Sequence, residues 1–270
     1  MGLTANSSGL NVLKEGFNID LSSNKAIIAL AGNPNTGKST VFNGLTGLNQ
    51  HTGNWPGKTV TRAQGFFTHN DQEFMLVDLP GTYSLLSNST EEMIARDFIC
   101  FARPDATIVV TDSTNLERNL NLVIQVMELA DNVILCLNLM DEANRKSIKI
   151  DIEELKNQLQ IPVIPTVARD NKGLDELKKV IYKVCNKLIE LKPFKMEYSE
   201  DIEDAVKEIV PILKNNIAHI SDKVNLRWLA LRLIEGDKTI LESIEKHFLN
   251  VNLNFSKTDE GQVQTDGVNY

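Results

Sequence analysis

Apolar residues follow two different spacings in the first two thirds of the chain. Between residues 25 and 191, short apolar runs alternate with stretches in which apolar residues recur every three or four positions. Short runs are typical of buried strands, and the wider spacing is typical of amphipathic helices. Strands that alternate with helices predict a parallel sheet with helices on both faces. The predicted strands are 25–31, 59–68, 73–77, 106–111, 133–137 and 161–165, and the predicted helices are 40–46, 91–102, 115–130, 151–160 and 175–191.

One short turn reverses the chain early in this pattern. The polar segment 69–72 joins two predicted strands, and strands joined by so short a turn pair as an antiparallel hairpin. The polar segment 49–59, which contains glycine and proline, is predicted to be a loop. We therefore expect an α/β domain over residues 25–191, with a doubly wound, mainly parallel six-stranded sheet and one antiparallel edge strand.

Helical spacing alone continues beyond the last predicted strand and helix. It predicts a small all-helical domain within residues 192–255. Pro211 interrupts the first helical stretch, so we expect a kink or a break near Val210. The polar segment 256–270 is predicted to be a disordered tail. Residues 1–24 are predicted to be a flexible N-terminal extension, to which cloning could have added residues.

Composition and charge exclude several classes of protein. The 270 residues carry a net charge of −8, which argues against a general nucleic-acid binder because such proteins present a basic face. Three widely spaced cysteines without a Cys-x-x-Cys pair favour a reducing, cytoplasmic setting. The four histidines do not cluster as a zinc site would require. No apolar stretch reaches about 18 residues, so no segment of this sequence is expected to span a membrane.

The strongest chemical signal lies between the first predicted strand and the helix that follows it. This segment reads G-x-x-x-x-G-K-S, the pattern of a phosphate-binding P-loop. Its glycines let successive N–H groups surround a phosphate, and the helix dipole adds to the anion site. Lys38 is expected to reach the β- and γ-phosphates, and the Ser39 hydroxyl to bind Mg²⁺. The alternative is a chance match in a glycine-containing turn. The predicted nucleotide contacts are Gly32, Asn33, Pro34, Asn35, Thr36, Gly37, Lys38, Ser39 and Thr40.

Two motifs at later strand ends point to a guanine nucleotide. The first, D-x-x-G, is Asp78-Leu79-Pro80-Gly81; its aspartate can hold Mg²⁺ through water, and the Gly81 N–H can contact the γ-phosphate. The second, N-x-x-D, is Asn138-Leu139-Met140-Asp141. Asp141 can accept hydrogen bonds from the N1–H and amine of guanine, a pair of donors that adenine lacks. Because an unpaired buried acceptor costs about 1–3 kcal/mol, this residue disfavours ATP. Ordinary polar strand ends remain the alternative.

The segment after the last strand is expected to complete the base site. A backbone N–H of Thr166, Val167 or Ala168 is expected to meet the guanine O6. The lysine that usually follows the asparagine of N-x-x-D is replaced by Leu139. This change removes packing over the base and indicates weaker retention of the nucleotide.

Catalysis is expected to proceed without the usual glutamine, because Thr82 follows Gly81. A glutamine at this position orients the attacking water in many GTPases, and a threonine is too short to do so. Asn35 is expected to lie beside the β–γ bridging oxygen, where its amide oxygen can help hold a monovalent cation that supplies electrostatic stabilisation. Thr59 is the candidate switch threonine for Mg²⁺; an ordinary strand-start threonine is the alternative. We therefore predict Asn35, Lys38, Thr59 and Gly81 as catalytic, Ser39, Thr59 and Asp78 as Mg²⁺ ligands, and Gly57, Lys58, Thr59, Val60 and Thr61 as further nucleotide contacts.

Several of these segments together resemble the cytosolic part of the FeoB family, the prokaryotic ferrous-iron transporters. The likeness extends over about residues 25–255 and comprises a G domain followed by a helical domain. The combination of Asn-Trp-Pro-Gly with Asp-Leu-Pro-Gly-Thr-Tyr-Ser is highly specific. The segments that carry the resemblance are 32–39, 53–60, 78–85, 138–141, 227–230 and 235–237.

The resemblance implies more than the motifs do. It implies GTP hydrolysis to GDP that depends on Mg²⁺ and is stimulated by K⁺, with Asn35 and backbone carbonyls near Gly53 and Trp55 as K⁺ ligands. It also implies a role in Fe²⁺ uptake at the cytoplasmic face of a bacterial or archaeal membrane. The implied partners are a transmembrane domain absent from this chain, further copies of the protein and small cytosolic Feo proteins. Glu91 and Glu92 match an acidic pair after the second switch, although acids also suit a solvated helix N-terminus.

Two other functions remain open at this point. An RNA- or ribosome-associated GTPase would share the G domain, but residues 197–255 are mixed and acid-rich where such a protein would need a basic surface. A nucleotide-sensing module with negligible hydrolysis is consistent with Thr82. The base loop also departs from the family pattern, since it reads Thr-Val-Ala and not Ser-Ala. This departure leaves the rate of nucleotide release open.

Overall fold

A seven-stranded sheet organises the computed structural model of the chain. The sheet order is β2-β3-β4-β1-β5-β6-β7. All pairings from β4 to β7 are parallel, whereas β3 pairs antiparallel with both β2 and β4. The strands are β1 (Ala26–Gly32), β2 (Gln50–Asn54), β3 (Thr61–His69), β4 (Gln72–Asp78), β5 (Ala106–Asp112), β6 (Val133–Asn138) and β7 (Val163–Pro165). The structure describes residues 17, 25–48, 50–86, 89–218, 221 and 224–247, so the predicted tail and, apart from Phe17, the predicted extension lie outside it.

Nine α-helices are present in the part of the chain that the structure describes. They are α1 (Lys38–Thr46), α2 (Thr90–Asp97), α3 (Leu116–Leu129), α4 (Met140–Arg145), α5 (Ile152–Leu159), α6 (Leu174–Cys185), α7 (Glu200–Asn216), α8 (Leu226–Ile234) and α9 (Lys238–His247). A π-helical turn, Phe98–Ala102, continues directly from α2. Side chains of Ser89, Asp151 and Asn225 accept hydrogen bonds from backbone N–H groups at the starts of α2, α5 and α8, which satisfies donors that the helices leave unpaired.

Alternate residues of the central strand β1 enter two separate cores. Ile28 and Leu30 pack with α1 and α6 on one face, and Ile27 and Ala29 pack with α2 and α3 on the other. The second core continues into α7, α8 and α9, so the helical unit shares one apolar core with that face of the sheet. The Asn225 side chain strengthens this join by donating to the Glu128 carbonyl at 2.9 Å.

The structure confirms the fold class and corrects the strand count from six to seven. The additional strand, β2, lies inside the segment predicted to be a loop. It occupies the edge position, so β3, the strand that runs opposite to the others, is not at the edge and makes two antiparallel pairings rather than one. Residues 51–54 are exposed and polar or glycine, so no apolar alternation marks a strand there. The strand forms because it can pair with the free edge of β3. This pairing depends on tertiary structure, and the strand preference of residues 50–54 alone does not predict it.

The sequence predicts a kink or a break near Val210; helix α7 continues through Pro211, so there is no break, and the kink stays a prediction. Proline removes the N–H that would bind the carbonyl of Lys207. Both residues are exposed, and water can therefore satisfy that carbonyl. Within the described residues, no helix combines the length and the apolar character needed to cross a membrane.

Candidate nucleotide-binding site

The P-loop connects the end of β1 to the start of α1 and lies at the carboxyl edge of the parallel strands. Gly37 has φ +81° and Asn35 has φ +65°, so the loop turns through two left-handed residues. Asparagine is among the few residues with a side chain that adopt this conformation readily. The side chains of Asn35, Ser39 and Thr40 are exposed. The loop therefore offers its polar groups outward at a helix N-terminus, as an anion site requires.

Lys38 and Asp78 form an ion pair at the centre of the site. The Lys38 ammonium donates to Asp78 Oδ1 and, at 2.7 Å, to the Leu79 carbonyl. Burial raises the pKa of Asp78, while the charge and hydrogen bond of Lys38 oppose this effect. The pair brings together the lysine expected to bind phosphate and the aspartate expected to hold Mg²⁺. Ser39 follows Lys38 in the chain and its side chain is exposed. Hydroxyl and carboxylate oxygens are the type of ligand that Mg²⁺ prefers.

Residues 78–86, which we call switch II, lie against the P-loop. The Thr82 N–H donates to the Gly32 carbonyl at 3.3 Å, and the Leu79 N–H donates to the Leu30 carbonyl at 3.0 Å. A Cβ built on Gly81 would lie 3.5 Å from Pro34, so Pro34 borders the space beside the Gly81 Cα. Gly81 is thus near the P-loop, and its predicted contact with a γ-phosphate stays a prediction.

Thr82 has a structural role within switch II. It is buried, and its hydroxyl donates to the Ser84 carbonyl at 2.6 Å. Ser84 in turn donates to Glu92 at 2.9 Å, which ties switch II to the first turn of α2. Glu91 is exposed, so the two members of the acidic pair have different environments.

Asn138 joins the phosphate loop to the base loop. Its amide nitrogen donates to the Thr36 carbonyl at 3.0 Å. Its amide oxygen accepts from the Thr166 hydroxyl and from the Ala168 N–H, both at 3.1 Å. A Cβ on Gly37 would lie only 2.4 Å from this amide nitrogen, so glycine is required for the close approach. Asn138 therefore fixes the relative positions of two loops that lie far apart in the sequence.

The base loop uses its own N–H groups in the structure. Thr166 donates to Leu137, Val167 donates to Lys172, and Ala168 donates to Asn138. A contact from this loop to guanine O6 would therefore have to share or replace one of these bonds. Asp141 lies opposite, at the start of α4, and Leu139 before it adopts φ +61°.

The sequence analysis missed Arg169. This residue donates to Asp141 Oδ2 and, at 3.4 Å, to Glu142, while Asp141 Oδ1 is buried without a hydrogen-bond partner among the described residues. The arginine follows Ala168 directly, but nothing in its local sequence indicates that it pairs with a carboxylate 28 positions earlier. It holds one oxygen of the predicted base-reading carboxylate in place.

Residues 53–60, which we call switch I, follow strand β2. Gly53 is paired with Arg62 in the β2–β3 ladder, and the Trp55 N–H donates to the Val60 carbonyl at 3.0 Å. The Trp55 indole is buried, whereas Thr59 is exposed. Within the described part of the chain, no hydrogen bond or ion pair joins residues 53–61 to residues 32–40. Hydrogen bonds thus link the predicted P-loop, D-x-x-G and N-x-x-D segments to one another. In the described residues they do not link the P-loop to Gly53, Trp55, Gly57, Lys58, Thr59, Val60 or Thr61.

The fold and these loops define a P-loop G domain of the GTPase class, followed by a helical domain. Comparison with protein families agrees with this class. The profile described as "Ferrous iron transport protein B" matches residues 26–181, and that described as "FeoB cytosolic helical domain" matches residues 198–261. The chain belongs to the ferrous iron transport protein B (FeoB) family.

Curated relatives and solved structures both support this assignment. A Porphyromonas gingivalis "Fe(2+) transport protein A/Fe(2+) transporter FeoB fusion protein" is 39% identical over 215 residues, which are 78% of this chain and 25% of that protein. The cytosolic domain of T. maritima FeoB in a GDP form is 38% identical with a TM-score of 0.74, covering 82% of this chain and 86% of that one. Its GMPPNP form is 37% identical with a TM-score of 0.72 and the same two coverages. The chain spans about a quarter of the length of the curated relatives it matches.

Proposed function

We propose that this chain is the GTP-binding and GTP-hydrolysing part of a ferrous-iron transporter and acts at the cytoplasmic face of the membrane. One observation carries the proposal: Asn138 holds the P-loop and the base loop together in one site. The P-loop would therefore bind the phosphates, and the base loop the base, of one and the same nucleotide. The names of the relatives, an Fe²⁺ transporter and cytosolic domains in GDP and GMPPNP forms, support the nucleotide and the transported ion.

Mg²⁺ would be held by Ser39 and, through water, by Asp78. In the structure Asp78 accepts from Lys38, so nucleotide phosphates would draw the ammonium towards themselves and leave the carboxylate oxygen for the hydrated metal. Thr59 would complete the Mg²⁺ shell. This last contact needs a change in switch I, because the Thr59 side chain is exposed and switch I makes no hydrogen bond to the P-loop in the described residues.

Hydrolysis would use a cation in place of a glutamine or an arginine finger. The Thr82 hydroxyl is engaged within switch II, so it is not available to orient water. Asn35 lies exposed on the loop, and its amide oxygen would hold K⁺ beside the β–γ bridge, with carbonyls of Gly53 and Trp55. A cation at this position stabilises the charge that develops as the phosphoryl group leaves.

The partners would be a transmembrane iron-transport domain, other copies of the chain and a small Feo protein. The Porphyromonas gingivalis relative carries a transport protein A in the same polypeptide, which supports the last of these. The acidic net charge of −8 remains unfavourable for RNA binding.

The test is GTP turnover in K⁺ and in Na⁺ at equal ionic strength, with Asn35→Ala. Turnover should be at least about tenfold faster in K⁺, and the variant should lose the difference while still binding GDP, because one electrostatic group typically contributes a factor of about 10²–10³. Asn70→Ala is the matched control, since Asn70 also has a positive φ (+49°) but lies in the β3–β4 turn. Equal rates in both salts, unaffected by Asn35→Ala, would refute the cation role.

The second candidate is a nucleotide sensor with negligible hydrolysis, favoured by the engaged Thr82 hydroxyl. Tight GTP binding with no turnover in either salt would support it.

A further inference from the structure

Three aromatic rings from distant parts of the sequence form one cluster beside switch I. Phe17 lies edge-on to Phe98, with ring centroids 5.4 Å apart, and edge-on to Trp55 at 6.4 Å. Trp55 and Phe98 are themselves 5.5 Å apart. Phe17 is 4% exposed, Trp55 is 2% exposed and Phe98 is 0% exposed. Edge-to-face pairs of this kind add to the stabilisation from burial alone.

The main chain at Phe17 is recognised as well as its ring. The buried side chain of Arg62, on β3, donates through Nη1 to the Phe17 carbonyl. The same guanidinium lies 5.8 Å from the Trp55 ring centroid. Arg62 is also the residue that pairs with Gly53 across the β2–β3 ladder. The ring and the carbonyl of Phe17 are therefore both bound, the ring by aromatic side chains and the carbonyl by a buried arginine.

The cluster lies where the two switches and the helical domain meet. Trp55 belongs to switch I, and Phe98 continues the helix that follows switch II. A cavity of about 140 Å³ next to the cluster is lined by Phe17, Trp55 and Met93, and by Thr239 and Ser243 of α9. A residue seated here can therefore affect both switches.

The seated ring opposes the movement that switch I must make. Residues 55 and 60 are joined by a backbone hydrogen bond, so the segment that carries Thr59 is closed onto the buried Trp55. Bringing Thr59 to a metal ion beside Ser39 requires this segment to move. Such a movement would withdraw the Trp55 indole from between Phe17, Phe98 and Arg62.

We propose that the pocket formed by Trp55, Phe98 and Arg62 is a docking site for Phe17, and that Phe17 seated there holds switch I in the position seen here, away from a metal ion at Ser39. The regulatory half of this statement rests on the proposed GTPase function; the docking half does not. Phe17 lies outside residues 26–181, the part matched by the family profile.

The direct test of docking is the accessibility of tryptophan to acrylamide in the full chain. The chain has two tryptophans, and Trp228 is common to all variants, so a difference in quenching between parent and Phe17→Ala reports Trp55. We expect Phe17→Ala to raise the Trp55 quenching constant about threefold, because the ring loses one of its aromatic neighbours. Phe194→Ala, at a residue 44% exposed, is the matched control and should leave quenching unchanged.

A peptide in trans gives a second, independent measurement. A synthetic peptide of residues 10–24 should restore protection of Trp55 in Phe17→Ala, and the same peptide with alanine at position 17 should not. Unchanged quenching in the variant, or equal protection by both peptides, would overturn the docking site.

The regulatory half is measured by the binding of GMPPNP with Mg²⁺. Because only molecules with switch I released are competent, Phe17→Ala should raise the apparent affinity about fivefold. The affinity for GDP, which lacks a γ-phosphate, should stay within about twofold. Raised quenching with unaltered GMPPNP affinity would refute the regulatory half alone. Raised quenching with no guanine-nucleotide binding by any variant would instead refute the proposed function and leave the docking site standing.

Discussion

At the residue scale, the site depends on close contacts that only particular side chains permit. Gly37 combines a left-handed backbone with a Cβ position 2.4 Å from the Asn138 amide nitrogen. Gly47, at the end of the same helix α1, has φ +60° but nothing within 4 Å of its Cβ position. The two glycines therefore separate the effect of backbone strain from that of a steric clash.

We predict that Gly37→Ala lowers the free energy of unfolding by about 3 kcal/mol, the sum of strain and overpacking. Gly47→Ala, the matched control, should cost about 1 kcal/mol from strain alone. Urea denaturation measures both. Gly37→Ala should also weaken GDP binding because it displaces Asn138. Equal destabilisation by the two substitutions would contradict the contact between Gly37 and Asn138.

Asp141 is the residue whose substitution should alter base preference. We predict that Asp141→Asn lowers GTP affinity about 100-fold, because two charge-assisted hydrogen bonds are lost at about 1.5–3 kcal/mol each with partial compensation. Xanthosine triphosphate, which has a carbonyl where guanine has an amine, should bind the variant better than GTP does. Calorimetric titration measures both ligands. Asp204→Asn, at an exposed position of α7, is the control, and intact GTP binding by Asp141→Asn would show that the base site is wrongly assigned.

At the element scale, tertiary context changes two elements that local sequence describes incompletely. The polar strand β2 exists because β3 provides an edge for it. Helix α7 continues through Pro211, where the carbonyl of Lys207 that loses its N–H partner is in an exposed position that water can reach. By contrast, the six predicted strands are all present, because buried β-rich runs between turns are signals contained within the strands themselves.

Pro211 provides a prediction at this scale. We expect Pro211→Ala to raise the free energy of unfolding by about 1–3 kcal/mol, because it restores the hydrogen bond to Lys207 and removes a ring from a helix interior. Chemical denaturation followed by far-ultraviolet circular dichroism measures the change. Glu208→Ala, exposed on the same helix, should change stability by no more than about 0.5 kcal/mol. A destabilised Pro211→Ala variant would mean that the proline ring makes a contact the helix needs.

The candidate site shows the same division between local and distant signals. The P-loop, D-x-x-G and N-x-x-D motifs could be recognised because each places its chemistry within eight residues or fewer. Arg169 could not, since its partner Asp141 lies in another loop. The position of switch I could not be predicted either, because it depends on Trp55 packing against Phe17 and Phe98.

At the scale of the whole molecule, a buried arginine joins switch II's helix to the helical domain. Arg96 on α2 is 0% exposed and donates to Asp97, to Asp237 at 3.3 Å and to Thr239 at 2.7 Å. Ser243 on α9 completes the network by accepting from Arg96 and donating to Asp97. A buried charge with this many partners fixes the geometry of the elements that supply them.

We predict that Arg96→Met lowers the free energy of unfolding by about 3–5 kcal/mol, because it leaves Asp97 and Asp237 without their buried counter-charge. Arg145→Met, whose side chain is 69% exposed, should cost at most about 1 kcal/mol. Urea denaturation of both variants, with hydrogen exchange in α9 as a local readout, measures the effect. A loss below about 1 kcal/mol in Arg96→Met would show that the network does not hold the two domains together.

Asn138 limits how the specificity of this protein can change over evolutionary time. Both ends of its amide are in use, and Gly37 leaves no space for a larger side chain. Any exchange at Asn138 therefore disturbs the hold on phosphate and the hold on the base in the same step. Substitutions could alter the preferred base and keep phosphate binding only at residues to which the Asn138 side chain makes no hydrogen bond, chiefly Leu139, Asp141 and Arg169. Under the proposed function, substitutions at these three positions would change base preference, whereas loss of Asn138 would weaken the binding of both the phosphates and the base.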